Sequence, residues 1–175
     1  MGCEAIVRLL LDKGADIDAQ GGFCWNAIEE ALWRGHKEIV QLLLDKRDDV
    51  QTHGGSFGNA LQAASMQGNE AVVRLLLDKG ADVQAQGGNY GNALQAASQG
   101  GYEAVVRLLL HQGADVQAQG GRYGNALQAA SLNGYEAIVR QLLDKGADVH
   151  AKGESTGMNC RRRRQKVVKP LWNFC

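Results

Sequence analysis

Proline is nearly absent from this sequence: Pro170 stands alone among 175 residues, against 23 glycines. Helices punctuated by glycine turns are the structure that such a balance suggests. Cysteine is sparse too. Cys3, Cys24, Cys160 and Cys175 form no CxxC pair, and two of them lie in an irregular tail. That excludes a zinc ribbon or a disulfide framework and predicts a reducing compartment, hence a cytoplasmic protein. No apolar run reaches membrane-spanning length. The first apolar run is interrupted by Arg8 and closed by Asp12-Lys13, so it does not read as a signal peptide. Net charge is lacking as well, but only in sum. Arg161, Arg162, Arg163, Arg164, Lys166 and Lys169 crowd the last stretch with Glu154 alone against them. Residues 1–152 keep 13 basic and 18 acidic side chains, about −5. An acidic body is a poor ligand for a phosphate backbone, so nucleic acid is not an expected partner.

What the sequence has in quantity is self-similarity. Gly14, Gly80, Gly113 and Gly146 fall on a spacing of 33, with Arg47 in the remaining slot. Asn26, Asn59, Asn92 and Asn125 share that spacing, as do Ala31, Ala64, Ala97 and Ala130, and Gly35, Gly68, Gly101 and Gly134. No gap is needed from Gly2 to Gly153.

Each unit predicts two helices and a loop. The first helix opens at the asparagine of Asn59-Ala60-Leu61-Gln62-Ala63-Ala64-Ser65, because an asparagine oxygen accepts a free amide of the first turn. The small residues that follow let a neighbouring helix come close. The second helix runs through Glu70-Ala71-Val72-Val73-Arg74-Leu75-Leu76-Leu77-Asp78-Lys79, with a wide apolar stripe at helical spacing. Glu70 suits the positive helix start and Lys79 the negative end. Gly80 occupies the place of a left-handed cap. One unit cannot bury its own stripe. Stacked units can, so the pattern predicts an elongated array stabilised between neighbours.

The stretch Gly68-Asn69-Glu70-Ala71-Val72-Val73-Arg74-Leu75-Leu76-Leu77-Asp78-Lys79-Gly80-Ala81-Asp82-Val83 resembles the second half of an ankyrin repeat. The first half departs from that family's Thr-Pro-Leu-His opening, reading Asn59-Ala60-Leu61-Gln62 instead. Asparagine caps as threonine does. The resemblance implies an all-α ankyrin solenoid of stacked helix-turn-helix units with hairpin-like loops. The Gly-Gly-x-Tyr-Gly-Asn loop is further similar to arrays attached to fungal NACHT-type signalling NTPases. On this basis residues 2–14 are a partial repeat holding the second helix only. Residues 15–47, 48–80, 81–113 and 114–146 are full repeats, and 147–175 begins a further repeat that runs into the basic tail.

Both ends look worn. The chain enters in mid-repeat, leaving apolar surface uncovered, and Arg47 in a left-handed cap would cost about 1 kcal/mol. Beyond Lys152 the pattern stops. Back-translated with permitted codons, another frame of that tail reads Gly-Gly-Val-Tyr-Gly-Asn-Glu-Leu-Gln-Ala-Ala-Ser, the next repeat in register. The tail is therefore expected to be a frame-shifted read of a further repeat, and the chain a fragment or decayed copy of a longer array.

Chemistry-bearing patterns are few. The Arg161–Arg164 run resembles a nuclear-import patch, yet such runs are normally solvated tails. Gly87-Gly88-Asn89-Tyr90-Gly91 recurs in every unit without a following Lys-Ser or Lys-Thr, so it reads as a repeat turn rather than a phosphate cradle. His36, His53, His111 and His150 share no repeat position, which argues against a metal site. Ser65, Ser98 and Ser131 repeat with the helix and lack a repeated base, which argues against a nucleophile. No catalytic residue, cofactor or small-molecule substrate is expected.

The aromatics Phe57, Tyr90 and Tyr123 recur at the loop edge, where they serve either as partner contacts or as loop packing. Shared positions are committed to packing, so specificity belongs to the variable ones. These are Arg122 in the loops, Trp33, Met66, Gln99 and Leu132 at the first-helix ends, and Tyr102 and Tyr135 after the glycine. The resemblance implies that loops and first helices together face a protein partner.

Overall fold

The computed structural model describes residues 4–17, 19, 26–46 and 58–151. Among them the helices are α1 (Glu4–Asp12), α2 (Ala27–Trp33), α3 (Lys37–Asp45), α4 (Ala60–Gln67), α5 (Glu70–Asp78), α6 (Ala93–Gly100), α7 (Glu103–His111), α8 (Ala126–Asn133) and α9 (Glu136–Asp144). The described residues form no strand; two isolated antiparallel bridges, Gly87 to Gly91 and Gly120 to Gly124, close the loops. The even-numbered helices stack in one row, α2 on α4 on α6 on α8. The odd-numbered helices form a second row behind them, α1 on α3 on α5 on α7 on α9. All contacts of consequence run between sequence neighbours, which is the architecture of a solenoid.

Local chemistry sets the helix limits. Asn59 and Asn92 have extended backbones and accept the amides of Gln62 and Gln95, at 2.8 Å each. The two glutamines return the bond to the asparagine amides, at 3.1 and 3.0 Å, completing reciprocal capping boxes. The second helices end differently. The Ala81 amide donates to Leu76 O at 2.9 Å and the Gly80 amide to Leu77 O at 2.9 Å. Gly80 takes φ +88°, a Schellman ending that a side chain at this position would strain. Gly14, Gly113 and Gly146 repeat it. Arg47 and the tail from Lys152 onward lie outside the described residues.

The core is one continuous sheet of side chains between the two rows. Ile28, Leu32, Val40, Leu43, Val72, Leu76, Leu94, Val105, Leu109, Ile138 and Leu142 are buried in it. A leucine of this kind contributes about 2 kcal/mol on burial. The small residues of the first helices have a distinct role. From Ala60 to Ser65 every side chain of α4 is buried, and from Ala93 to Ser98 every one of α6. Alanine at these places lets α4, α6 and α8 approach closely enough for the stripe behind them to close.

Candidate functional site

The loop edge is built from backbone before any side chain is considered. Gly87 N donates to Gly91 O and Gly120 N to Gly124 O, each at 2.7 Å, so each loop is a closed turn. Successive turns are tied together: the Arg122 amide donates to Asn89 O at 2.9 Å. Gly121 lies directly against the Tyr90 carbonyl, and a Cβ there would collide with that backbone. The turns therefore stack as tightly as the helices.

Two sets of glutamine straps hold this stack. Gln62 Nε2 donates to Ala85 O and Gly91 O of the following unit, both at 3.1 Å. Gln95 Nε2 repeats the pattern to Ala118 O at 3.0 Å and Gly124 O at 3.1 Å, and Gln128 reaches Ala151 O at 3.0 Å. At the other end of the loop Gln84 donates to Gly113 O at 2.7 Å and accepts from the Asp115 amide at 3.1 Å. Gln117 does the same to Gly146 and Asp148. Sequence reasoning passed over these glutamines. Their recurrence at 33-residue spacing was the available signal, and a glutamine three residues after an asparagine cap marks a capping box.

On this frame Tyr90 and Tyr123 sit half-buried at the edge and Arg122 stands exposed between them. Burial pushes the Tyr90 phenol above its ordinary value. The nearby Tyr123 adds to that and Arg122 works against it. Met66, Gln99 and Leu132 share one register at the last turn of α4, α6 and α8, and each is half-buried. Tyr102 and Tyr135 form a separate row. The Tyr102 ring lies over Gly68 of the preceding unit and over Gly100, and Tyr135 lies over Gly101. Both rings still keep over a third of their surface exposed. A first helix of eight residues, about 12 Å long, separates this row from Tyr90 and Tyr123. Trp33 closes α2, though its side chain, like Phe57, is outside the described residues.

Helices α4 and α6 are buried through Ser65 and Ser98, so these two offer an incoming molecule little beyond their last turn. The site divides into a loop edge and a helix-end row.

Two family models match the chain. One, described as Ankyrin repeats (3 copies), matches residues 30–120 and 85–153; the other, described as Ankyrin repeats (many copies), matches residues 1–44. The chain belongs to the ankyrin-repeat family. Ankyrin repeats generally mediate protein–protein interaction and are typically not enzymatic. No curated protein matches this ankyrin array. Among its described residues no group of three or more histidines, cysteines or carboxylates gathers at metal-binding distance. Nor is any described helix long and apolar enough to cross a membrane.

Proposed function

We propose that this ankyrin array is a protein-binding module whose partner lies along the loop edge, against Tyr90, Tyr123 and Arg122. The contact extends over the helix ends to Met66, Gln99 and Leu132, with Tyr102 and Tyr135 at its far margin; by repeat register Phe57 belongs with Tyr90 and Tyr123, and Trp33 with Met66, Gln99 and Leu132. The observation that carries this reading is the backbone bond from Arg122 to Asn89, with Gly121 seated on the Tyr90 carbonyl. It fixes the aromatic edge before any partner arrives, so little order is lost on binding. The functional units are residues 15–47, 48–80, 81–113 and 114–146, flanked by the partial segments at either end. A photo-crosslinking residue in place of Arg122 tests the reading in cell extract. It captures a protein in the parent chain, and Tyr90→Ala with Tyr123→Ala reduces capture about tenfold or more with the fold intact. Capture by the same label placed at Arg107, on the second-helix row, and none at Arg122 would sink it.

A second, finer reading rests on the Gly-Gly-x-Tyr-Gly-Asn loop, which resembles arrays joined to fungal NACHT-type NTPases. In that setting the array is the sensor part of a signalling switch. A genomic reading frame for such an NTPase fused to this one supports it, and an unrelated neighbouring frame removes its basis.

A further inference from the structure

Tyr102 and Tyr135 are seated on glycine. A Cβ at Gly68 would stand 2.2 Å from the Tyr102 ring and one at Gly100 2.3 Å from it, while a Cβ at Gly101 would stand 2.7 Å from the Tyr135 ring. Any side chain at these places would displace a ring. Gly100 and Gly101 are consecutive, so the two rings meet the chain at adjacent residues, and their nearest edges lie no more than about 10 Å apart. The backbone between them carries no side chain there. The 33-residue register supplies controls. Asn69 and His36 hold the tyrosine place in earlier units, and a Cβ at Gly35, the counterpart of Gly68, would meet nothing within 4 Å.

The same row is acidic. Residues 66–70, 99–103 and 132–136 hold three carboxylates, Glu70, Glu103 and Glu136, and no lysine, arginine or histidine. Glu4, Glu70 and Glu136 are each bonded to the arginine one turn on in their own helix. Among the described residues Glu103 has no ion pair. It is exposed at the start of α7, directly after Tyr102. The corresponding stretch of the unit opened by Asn26 reads Trp33-Arg34-Gly35-His36-Lys37 and would repel a cation. Among the described residues, an open carboxylate beside two glycine-seated rings thus occurs at one place in the array.

We propose that this place takes an arginine side chain carried on an extended segment of the partner, which rests on the helix-end row being part of the partner surface. A guanidinium lays its planar face on an exposed tyrosine ring while its N–H edge forks onto a carboxylate. Tyr102 and Glu103 meet both halves of that demand, with Tyr135 as the second wall. The apolar stem of the arginine lies on the bare backbone of Gly100 and Gly101. Lysine answers only the charge: its ammonium is compact, strongly hydrated and without a fork. An acidic segment meets Glu103 and Glu136 with no cation in these stretches to offset them. Glycine fixes the rings before the partner arrives, so little ordering is lost in seating the arginine.

The test selects random heptapeptides displayed on phage against the full chain. The recovered peptides share a fixed arginine. Glu103→Gln lowers their recovery about tenfold or more, as does Tyr135→Ala, while Arg122→Ala at the loop edge leaves it unchanged. Circular dichroism and the urea midpoint show that each variant is folded. Lysine in place of the arginine weakens the free peptide about tenfold, and equal binding by lysine would overturn the claim for a guanidinium. Recovery of peptides without arginine, no enrichment at all, or undiminished recovery on Glu103→Gln overturns the proposal as a whole. Peptides lost on Arg122→Ala and indifferent to Glu103→Gln discard this site and keep the partner surface. Failure of that surface itself is read independently, by the crosslink at Arg122 or Arg107.

Discussion

The unit opened by Asn92 and the unit opened by Asn26 have the same cap and the same helix pair, yet among the buried side chains at which they differ one changes the hydrogen bonding of the stack. In the first, Gln95 accepts from its own asparagine and donates two bonds into the next loop. In the second, Glu29 holds that slot. It is 2% exposed, and among the described residues neither carboxylate oxygen has a hydrogen-bond partner. Burial raises its pKa above the ordinary 4.5. A carboxylate cannot donate to a carbonyl, so one atom exchanged, nitrogen for oxygen, removes the strap and strands a charge. Helix α4 also meets α6 more extensively than α2 meets α4. In a stack held by nearest neighbours, stability is local, and among the described first-helix joints the one after α2 is the least extensive.

Moving the defect gives the largest expected effect. Gln95→Glu places the second unit's carboxylate between two carbonyls in the centre of the array and should cost about 3–5 kcal/mol by urea unfolding, as for other uncompensated buried charges. A loss under about 1 kcal/mol would mean that the straps are incidental to the stack.

Removing the defect is the converse. Glu29→Gln should stabilise the chain by about 1–3 kcal/mol at neutral pH, the range for an unsatisfied buried polar group that regains partners. The pH dependence carries its own sign. The folded pKa of Glu29 is raised, so the folded state binds the proton more tightly. The penalty is absent below the unfolded value of 4.5 and grows as pH rises through the folded one. The advantage of Glu29→Gln should shrink on acidification toward that value. An advantage constant with pH would show that the carboxylate is neutral throughout.

The register of the helices, their caps and the glycine endings were legible in the sequence because they depend on near neighbours. Asn59 and Gln62 are three residues apart, and Gly80 answers to Leu77. The straps were not legible, because the partners of Gln62 Nε2 lie 23 and 29 residues away and exist only once the loops have stacked. The aromatic edge was half legible: Tyr90 and Tyr123 recur as expected, but Tyr102 could not be seen to seat on Gly68, since that contact crosses two units. The burial of the first helices escaped for the same reason. Small residues announce close packing without saying how much of the helix it consumes.

The outer straps offer a milder comparison with Gln95, because Gln84 makes its two cross-unit bonds where water can replace them. Gln84→Ala should cost about 1 kcal/mol, with the expected loss confined to hydrogen-exchange protection around Gly113 and Asp115. If it equalled Gln95→Glu, burial would not be what separates the two straps.

The smallest effect belongs to an ion pair that crosses this joint. Lys79 Nζ lies 2.7 Å from Asp45 Oδ1, joining α5 to the end of α3, and Gln41 donates to the same oxygen at 2.8 Å. The Lys79 hydrogen bond holds the Asp45 carboxyl below its ordinary 3.8 against desolvation, with Gln41 and the Lys79 charge adding to the lowering. A lowered folded pKa contributes stability that is present above 3.8 and lost as pH falls through the folded value, the opposite slope to Glu29. The pair is exposed, so salt screens it and side-chain ordering offsets much of the gain. Asp45→Asn should therefore lower Tm slightly at low ionic strength and not at all in about 1 M salt. A shift that survives high salt, or one exceeding that of Gln84→Ala, would show that the joint leans on charge rather than on the apolar stripe behind it.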